Sequence, residues 1–139
     1  MLIAAFEWFH KNDKQSWLYR SFAPRKLIQN SKALDILIAS LDSEIIGFIS
    51  SSNSLFGVAY IPTVAVDPAH QRSGIGKKIL NQKLAVLKKQ GMRKAWLLVT
   101  SINLPAITFY LKEGFVIEGY LRNHTGPGLD EVLFSKFLS

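Results

Sequence analysis

The chain has 139 residues, 48% of them hydrophobic and 19% charged. That is one domain's worth of chain with apolar material for one packed core, so a single domain over residues 1–139 is expected and the composition argues against disorder. Cysteine is absent, which excludes disulfides, thiolate metal sites and a cysteine nucleophile, whereas the formal net charge of +7 fits either a solvated surface or an anionic partner.

His10, His70 and His124 are scattered without metal-ligand spacing, so no metal is expected. No apolar run approaches the ~20 residues of a membrane span, so no membrane partner is expected. Met1 to Phe9 is apolar but carries Glu7, and it lacks a basic leader and a small-residue cleavage site. It is not read as a signal peptide, and the expected location is cytoplasmic.

In chain order, Leu2 to His10 and Pro24 to Asn30 read as weakly helical, with a polar stretch between them. Asp35 to Ser40 reads as a strand, Leu41 to Glu44 as a turn, and Ile45 to Ser50 as a second strand. Ser51 to Gly57 is a small, polar connection. Ala59 to Val66 is β-branched and apolar on both faces, which suits a buried central strand. Pro62 inside it implies a bulge or a missing ladder bond. Gly74 to Gln90 reads as a helix with Gly76, Leu80, Leu84 and Leu87 on one face. Lys77, Lys78, Lys83, Lys88 and Lys89 supply most of the rest, and Gly91 stops it. Lys94 to Val99 reads as a buried strand. Asn103 caps a helix through Glu113, with Pro105 tolerated in the first turn and Gly114 at the end. Phe115 to Tyr120 and Glu131 to Phe137 read as final strands, joined by a long loop holding Gly126, Pro127 and Gly128. This order predicts a mixed α/β sheet.

The most informative stretch runs from Val64 to Gly76. A buried strand ends at Asp67-Pro68, a helix starts near Gly74, and two glycines one residue apart lie at the turn. Glycine lacks a Cβ, so a ligand can approach the main chain closely. Amides at a helix start point outward, and the helix dipole adds about half a positive charge there. Arg72 and Lys77 add full charges. The pattern suits a diphosphate cradle at the carboxyl end of a strand. It is neither a Walker loop nor a dinucleotide fingerprint.

Val64-x-Val66-Asp-Pro followed by Gln71-Arg-x-Gly-x-Gly76 resembles the acyl-coenzyme A signature of GCN5-related N-acetyltransferases (GNAT). The resemblance implies acetyl-CoA as cosubstrate. It implies a pyrophosphate cradle of Gln71, Arg72, Ser73, Gly74, Ile75, Gly76 and Lys77, with the main chain of Val64 and Val66 pairing with the pantetheine arm. The implied fold is α/β: the GNAT (acyl-CoA N-acyltransferase) fold, a mixed, largely antiparallel central sheet flanked by helices. The first strand usual in that family has no convincing counterpart here. If it is missing, Asp35 to Ser40 is a sheet edge, covered by a second copy in a homodimer or by the N-terminal segment.

Downstream, Asn103-Leu-Pro-Ala-Ile-Thr-Phe-Tyr-Leu-Lys-Glu-Gly-Phe115 resembles the family's second signature. At about 100° per residue, Asn103, Ala106 and Tyr110 share one helical stripe. The resemblance implies that Asn103 bonds a cofactor amide and that Ala106 leaves room for the thiol arm. Tyr110 then points toward the thioester sulfur. The tail from Gly119 to Glu131 is similar to the loop and strand of protein N-terminal acetyltransferases in this superfamily.

The implied reaction is direct attack of a neutral amine on the thioester. Backbone N–H groups near Val66 would stabilise the oxyanion, and Tyr110 would donate to the leaving sulfur. Many members carry a Glu or His base on a central strand. The corresponding places here are Pro62 and Leu98, which accept no proton. His124, Glu118, Asp130 and Glu131 are the nearest candidates by topology, each more often a surface residue, and His124 is taken as the catalytic candidate. The alternatives are a non-catalytic CoA-binding regulatory module and an acetyltransferase acting on aminoacyl-tRNA. No basic arm with interleaved aromatics is present, so nucleic acid ranks below an amine acceptor as partner. An α-amine is the expected acceptor, because it is more often neutral than a lysine side chain.

Overall fold

The computed structural model describes residues 35–71 and 73–138. The expected helices at Leu2 to His10 and Pro24 to Asn30 lie outside the described residues, as does Arg72. Six strands and two α-helices follow in the order β1 (Asp35–Leu41), β2 (Glu44–Asn53), β3 (Val58–Val66), α1 (Ile75–Lys89), β4 (Lys94–Thr100), α2 (Leu104–Lys112), β5 (Val116–Gly126) and β6 (Leu129–Phe137). A short 3₁₀ turn, Pro68–His70, precedes α1. The strands form one sheet in the order β1-β2-β3-β4-β6-β5, the mixed α/β architecture expected. Among the described residues β1 is an edge of that sheet. No helix among them is long and apolar enough to cross a membrane.

The chain forms two compact units. Residues 35–52 and 63–83 belong to the first, and 53–62 with 84–138 to the second. In the first, β1 and β2 make an antiparallel hairpin from Asp35 opposite Ser51 to Leu41 opposite Glu44. Asp42 and Ser43 form its two-residue turn, both with positive φ, which matches the right-handed twist of the strands. Ile46, Phe48, Ile49, Ala65, Ile79 and Leu80 are buried there. Gly47 allows that packing, since a Cβ on it would meet Ile79 Cδ1 at 2.8 Å and the Ala65 carbonyl oxygen at 2.9 Å.

Lys83 corrects the helical reading. It was expected on the solvated face of α1, yet it is 1% exposed. Its Nζ reaches the Asp35 carboxylate at 3.0 Å and the Asp35 carbonyl oxygen at 2.9 Å. Lys83 sits four residues after buried Ile79 on the helix, so the pairing, not its polarity, decides its place.

In the second unit β4 runs parallel to β3, with Val58, Ala59 and Tyr60 opposite Lys94, Ala95 and Trp96. It runs antiparallel to β6, from Lys94 opposite Phe137 to Thr100 opposite Glu131. Burial alternates along β4: Ala95, Leu97 and Val99 are buried, and Lys94, Trp96, Leu98 and Thr100 are half-buried. Tyr110 of α2 packs on Phe134 with ring centroids 6.0 Å apart, on the face that holds Val132. Gly91 and Gly114 end the two helices with left-handed φ of 86° each, as expected from their places in the sequence.

The long final loop expected between Tyr120 and Glu131 is instead most of a hairpin. Only Pro127 and Gly128 separate β5 from β6. Side chains compensate for the turn-like composition of the segment. The Tyr120 hydroxyl donates to Asp130 at 2.6 Å, the Asn123 N–H donates to Asp130 at 2.8 Å, and the Gly128 N–H donates to Asn123 Oδ1 at 2.8 Å. The cross-strand register shifts between Leu121 and Gly126, which makes room for Asn123 at positive φ.

Candidate active site

In the first unit, the strand-to-helix segment is built by local hydrogen bonds. Asp67 caps the 3₁₀ turn through Ala69 N–H at 3.0 Å, and its own N–H donates to the Ile46 carbonyl at 2.7 Å. Ser73 is committed twice to the His70 carbonyl, by its N–H at 3.2 Å and its hydroxyl at 2.6 Å. Gly74 then turns with φ +81°, and a Cβ there would meet nothing within 4 Å. Its carbonyl accepts the first helical bond, from Lys78 N–H at 3.1 Å. The amides of Ile75, Gly76 and Lys77 therefore precede the α1 ladder, at the positive end of the helix dipole. This end of α1, with open space beside Gly74 and the exposed Lys77, fits an anionic diphosphate.

Two expected contacts are modified. Gln71 turns its side-chain amide back to the Val66 carbonyl at 3.2 Å. That bond takes one lone pair of the Val66 carbonyl. The N–H of Ser73 is spent on the turn, so the amides fit to meet an anion begin later in the segment.

In the second unit, Asn103 caps α2, its Oδ1 accepting from Ala106 N–H at 3.3 Å. Its carbonyl oxygen is engaged, so its NH₂ is the group available to a ligand carbonyl. Along the stripe Asn103 is exposed, Ala106 half-buried and Tyr110 buried. The Tyr110 ring meets Phe109 and Phe115 edge-on, with centroids at 5.1 and 5.5 Å. Burial pushes its phenol pKa well above the ordinary value. It is a hydrogen-bond donor across the physiological range and a poor full acid.

The other face of β4 and β6 has different chemistry. Thr100 and Glu131 are opposite each other, and so are Trp96 and Ser135. Glu131 is 5% exposed, which corrects the expectation of a surface residue. Its Oε1 accepts from the Thr125 hydroxyl at 2.8 Å and the Thr100 hydroxyl at 3.2 Å. Tyr60 stacks on Trp96 at 4.3 Å between centroids. The two other carboxylates considered as bases are engaged. Glu118 receives the Lys94 ammonium and the Ser135 hydroxyl, each at 2.6 Å, which hold its carboxyl below the usual range. Asp130 is likewise held low by the Tyr120 hydroxyl and the Asn123 N–H. His124 is exposed on β5 and lines an open cleft with Asn123, Thr125, Gly126 and Pro127.

The family model described as Acetyltransferase (GNAT) family matches residues 2–115. The chain belongs to the acetyltransferase (GNAT) family. It is similar to the [ribosomal protein bS18]-alanine N-acetyltransferase of Escherichia coli, with 30% identity over 91% of this chain and 75% of that one. It is also similar to the spermidine N(1)-acetyltransferase of Thermoplasma acidophilum, with 30% identity over 75% of this chain and 68% of that one. Among solved structures it resembles Ard1 from Thermoplasma volcanium, with TM-score 0.81 and 23% identity over 96% of this chain and 90% of that one. The last likeness bears on the fold. This GNAT protein is accordingly an acetyl-CoA-dependent N-acetyltransferase acting on an amine.

Within this GNAT chain the two signature segments were legible as motifs. Tyr60, Trp96 and Thr100 were not, because nothing near them in the sequence marks them. Only the β3/β4/β6 register brings them to one face. The weak available signal was a Trp and a Thr four residues apart on a strand, hence on the same side.

Proposed function

We propose that the enzyme acetylates an α-amino group, on a peptide N-terminus or a small aminoacyl compound. In this reading the amides of Gly74 to Lys77 hold the pyrophosphate of acetyl-CoA, and the main chain of Val64 and Val66 pairs with its pantetheine arm. Acetyl-CoA supplies the activated acyl group. Asn103 donates to a cofactor carbonyl, Ala106 leaves space on the stripe, and Tyr110 hydrogen-bonds the departing sulfur. A water relay to His124 or Glu131 takes the proton of the amine.

The observation that carries the choice of acceptor is Leu98. It stands where the family resemblance expects a base, and it cannot accept a proton. Weak base catalysis favours an amine that is already neutral. At pH 7 an α-amine of pKa about 7.7–8.0 is roughly a tenth neutral or more. A lysine side chain near pKa 10.4 is neutral in about four parts in ten thousand. The ratio exceeds two orders of magnitude, or about 3 kcal/mol of barrier. The similarity to an enzyme named for ribosomal-protein alanine supports the same choice.

The test compares kcat/KM for a peptide with a free N-terminus and the same peptide N-blocked with an internal lysine. At pH 7 the free N-terminus should be preferred by ~10²-fold. Preference for the blocked lysine peptide refutes the proposal.

A further inference from the structure

Glu131 poses an electrostatic problem that its own neighbours solve only in part. A carboxylate so far removed from water needs compensation. Two neutral hydroxyls, from Thr100 and Thr125, provide some, but both end on Oε1. Among the described residues Glu131 has no ion pair with Lys, Arg or His. Lys94, the cation on the same face, is held by Glu118 at the far end of β4. A single carboxylate between hydroxyls is also a poor divalent-metal site, and no group of three or more metal-ligating side chains occurs among the described residues.

The surroundings indicate which cation would complement it. Tyr60, stacked on Trp96, lies within electrostatic reach of Glu131. Its phenol is pushed up by burial and then by that carboxylate. The same face carries Leu98 between Trp96 and Thr100. An aromatic pair four strand residues from a buried carboxylate on the same face, with Leu98 between them, suits a small ammonium bonded to an extended apolar carbon skeleton. The pair and the carboxylate lie on the face opposite Tyr110, which packs against Phe134.

We propose that Glu131 is the binding residue for the charged amine of the acceptor, with the Tyr60–Trp96 wall taking the adjoining apolar group. This rests on the acetyltransferase reading above and sharpens it: the enzyme captures the acceptor by charge as a primary ammonium, which becomes the neutral nucleophile only after its proton passes to the water relay. Thr100 and Thr125 are positioning residues that hold the carboxylate in one orientation.

The test is direct binding to the full chain saturated with CoA at pH 7. The probes are the peptide Ala-Gly-Phe-Gly amide, its N-terminal lactyl counterpart with a hydroxyl in place of the amine, and spermidine. The wild type should bind an amine probe at least ~10-fold more tightly than the lactyl peptide. Glu131→Gln keeps an acceptor for both threonine hydroxyls but removes the charge. It should erase that discrimination, weaken amine binding by ~10-fold or more, and leave lactyl binding unchanged. Its melting temperature should not fall, because a buried charge with no ion-pair partner among the described residues is removed. Glu131→Met makes the same ligand prediction if the Gln variant does not fold. Retained discrimination in the folded variants overturns the proposal, as does a wild type that binds neither amine probe or binds amine and lactyl peptides equally. Equal loss of both ligands with a lowered melting temperature also overturns it, by assigning Glu131 a structural role. The CoA-induced melting shift is read in the same samples. Its absence in the wild type counts against the acetyltransferase reading, whereas its presence with intact discrimination in Glu131→Gln counts against this inference alone.

Discussion

The segment from Val66 to Lys77 and the hairpin from Val116 to Phe137 do different kinds of chemistry. The first presents main chain. Its side chains mostly serve the turn itself, as Asp67, Gln71 and Ser73 do, and what it offers a ligand is amides and open space beside Gly74. The second presents side chains. Glu118, Asp130 and Glu131 each have assigned hydroxyl, ammonium or amide partners, and those partners hold the Glu118 and Asp130 carboxyls low. A backbone site tolerates changes of side chain but fails at a glycine. A side-chain site tolerates backbone variation but fails when one polar atom is removed.

The largest expected effect tests the side-chain kind. Tyr110→Phe should lower kcat by ~10²–10³-fold, the usual cost of losing one preorganised hydrogen-bond donor to developing charge, with the CoA-dependent melting shift unchanged. The ring contacts with Phe109, Phe115 and Phe134 are kept, so only the hydroxyl is lost. Even at ordinary values a phenol near 10 is a weaker acid than a thiol near 8.5, by about 2 kcal/mol for full transfer. Burial widens that gap, so Tyr110 acts as a hydrogen-bond donor to the developing thiolate. A pH series adds a sign. The folded-state pKa is raised, so this contribution to stability is complete below the unfolded value of about 10 and is lost as pH rises above it, by about 1.4 kcal/mol per pH unit. Alkaline unfolding should therefore be less steep in Tyr110→Phe. Unchanged turnover with chemistry rate-limiting would return Tyr110 to the role of a core aromatic.

The next effect tests the backbone kind. CoA at a hundredfold excess over its dissociation constant should stabilise the fold by about 2.7 kcal/mol. Thermal unfolding with and without ligand measures it. Gly74→Val should abolish the shift; the open space spares packing, but the left-handed φ of +81° costs a β-branched residue about 1–2 kcal/mol, so the fold of the variant is checked by its unfolding curve without ligand. Loss of the shift in Tyr110→Phe but not in Gly74→Val would invert the comparison and refute both assignments.

The same contrast explains what could be read from the sequence. Glycines, caps and turns announce themselves by residue type. Gly74, Gly91, Gly114 and Asn103 all stand where expected, because few other residues satisfy those backbone angles or orphan amides. Lys83 and Glu131 do not announce themselves. Charge predicts solvent exposure, and only a partner brought from a distant strand reverses it. The hairpin was obscured for a related reason. Asn123, His124, Thr125 and Gly126 have loop composition, and the bonds from Asn123 N–H to Asp130 and from the Thr125 hydroxyl to Glu131 cross between strands.

A smaller effect separates two kinds of glycine. Gly47→Ala places a methyl 2.9 Å from a main-chain oxygen and 2.8 Å from Ile79 Cδ1. The Ile79 methyl can shift, but the Ala65 carbonyl is backbone. The cost is an overpacking cost, roughly 1–3 kcal/mol, read from chemical denaturation. A neutral result would mean that β2 and β3 relax apart more readily than the close contact implies.

Gly74 should show the smallest change in stability and the clearest separation of fold from function. Its constraint is conformational: φ is +81°, and nothing lies within 4 Å of an added Cβ. Alanine should therefore cost about 1 kcal/mol without ligand, the usual penalty for holding a Cβ in the left-handed region. Asparagine tolerates that region better, so Gly74→Asn should recover part of the loss. If the space beside Gly74 is where the diphosphate sits, the recovery in stability should bring no recovery in CoA binding, because the larger side chain fills more of that space. The measurement is a pair of denaturation curves for each variant, with and without CoA. Asparagine that restores both stability and the ligand shift would show that the glycine serves the turn alone, and the anion would then have to be held by the amides further along α1.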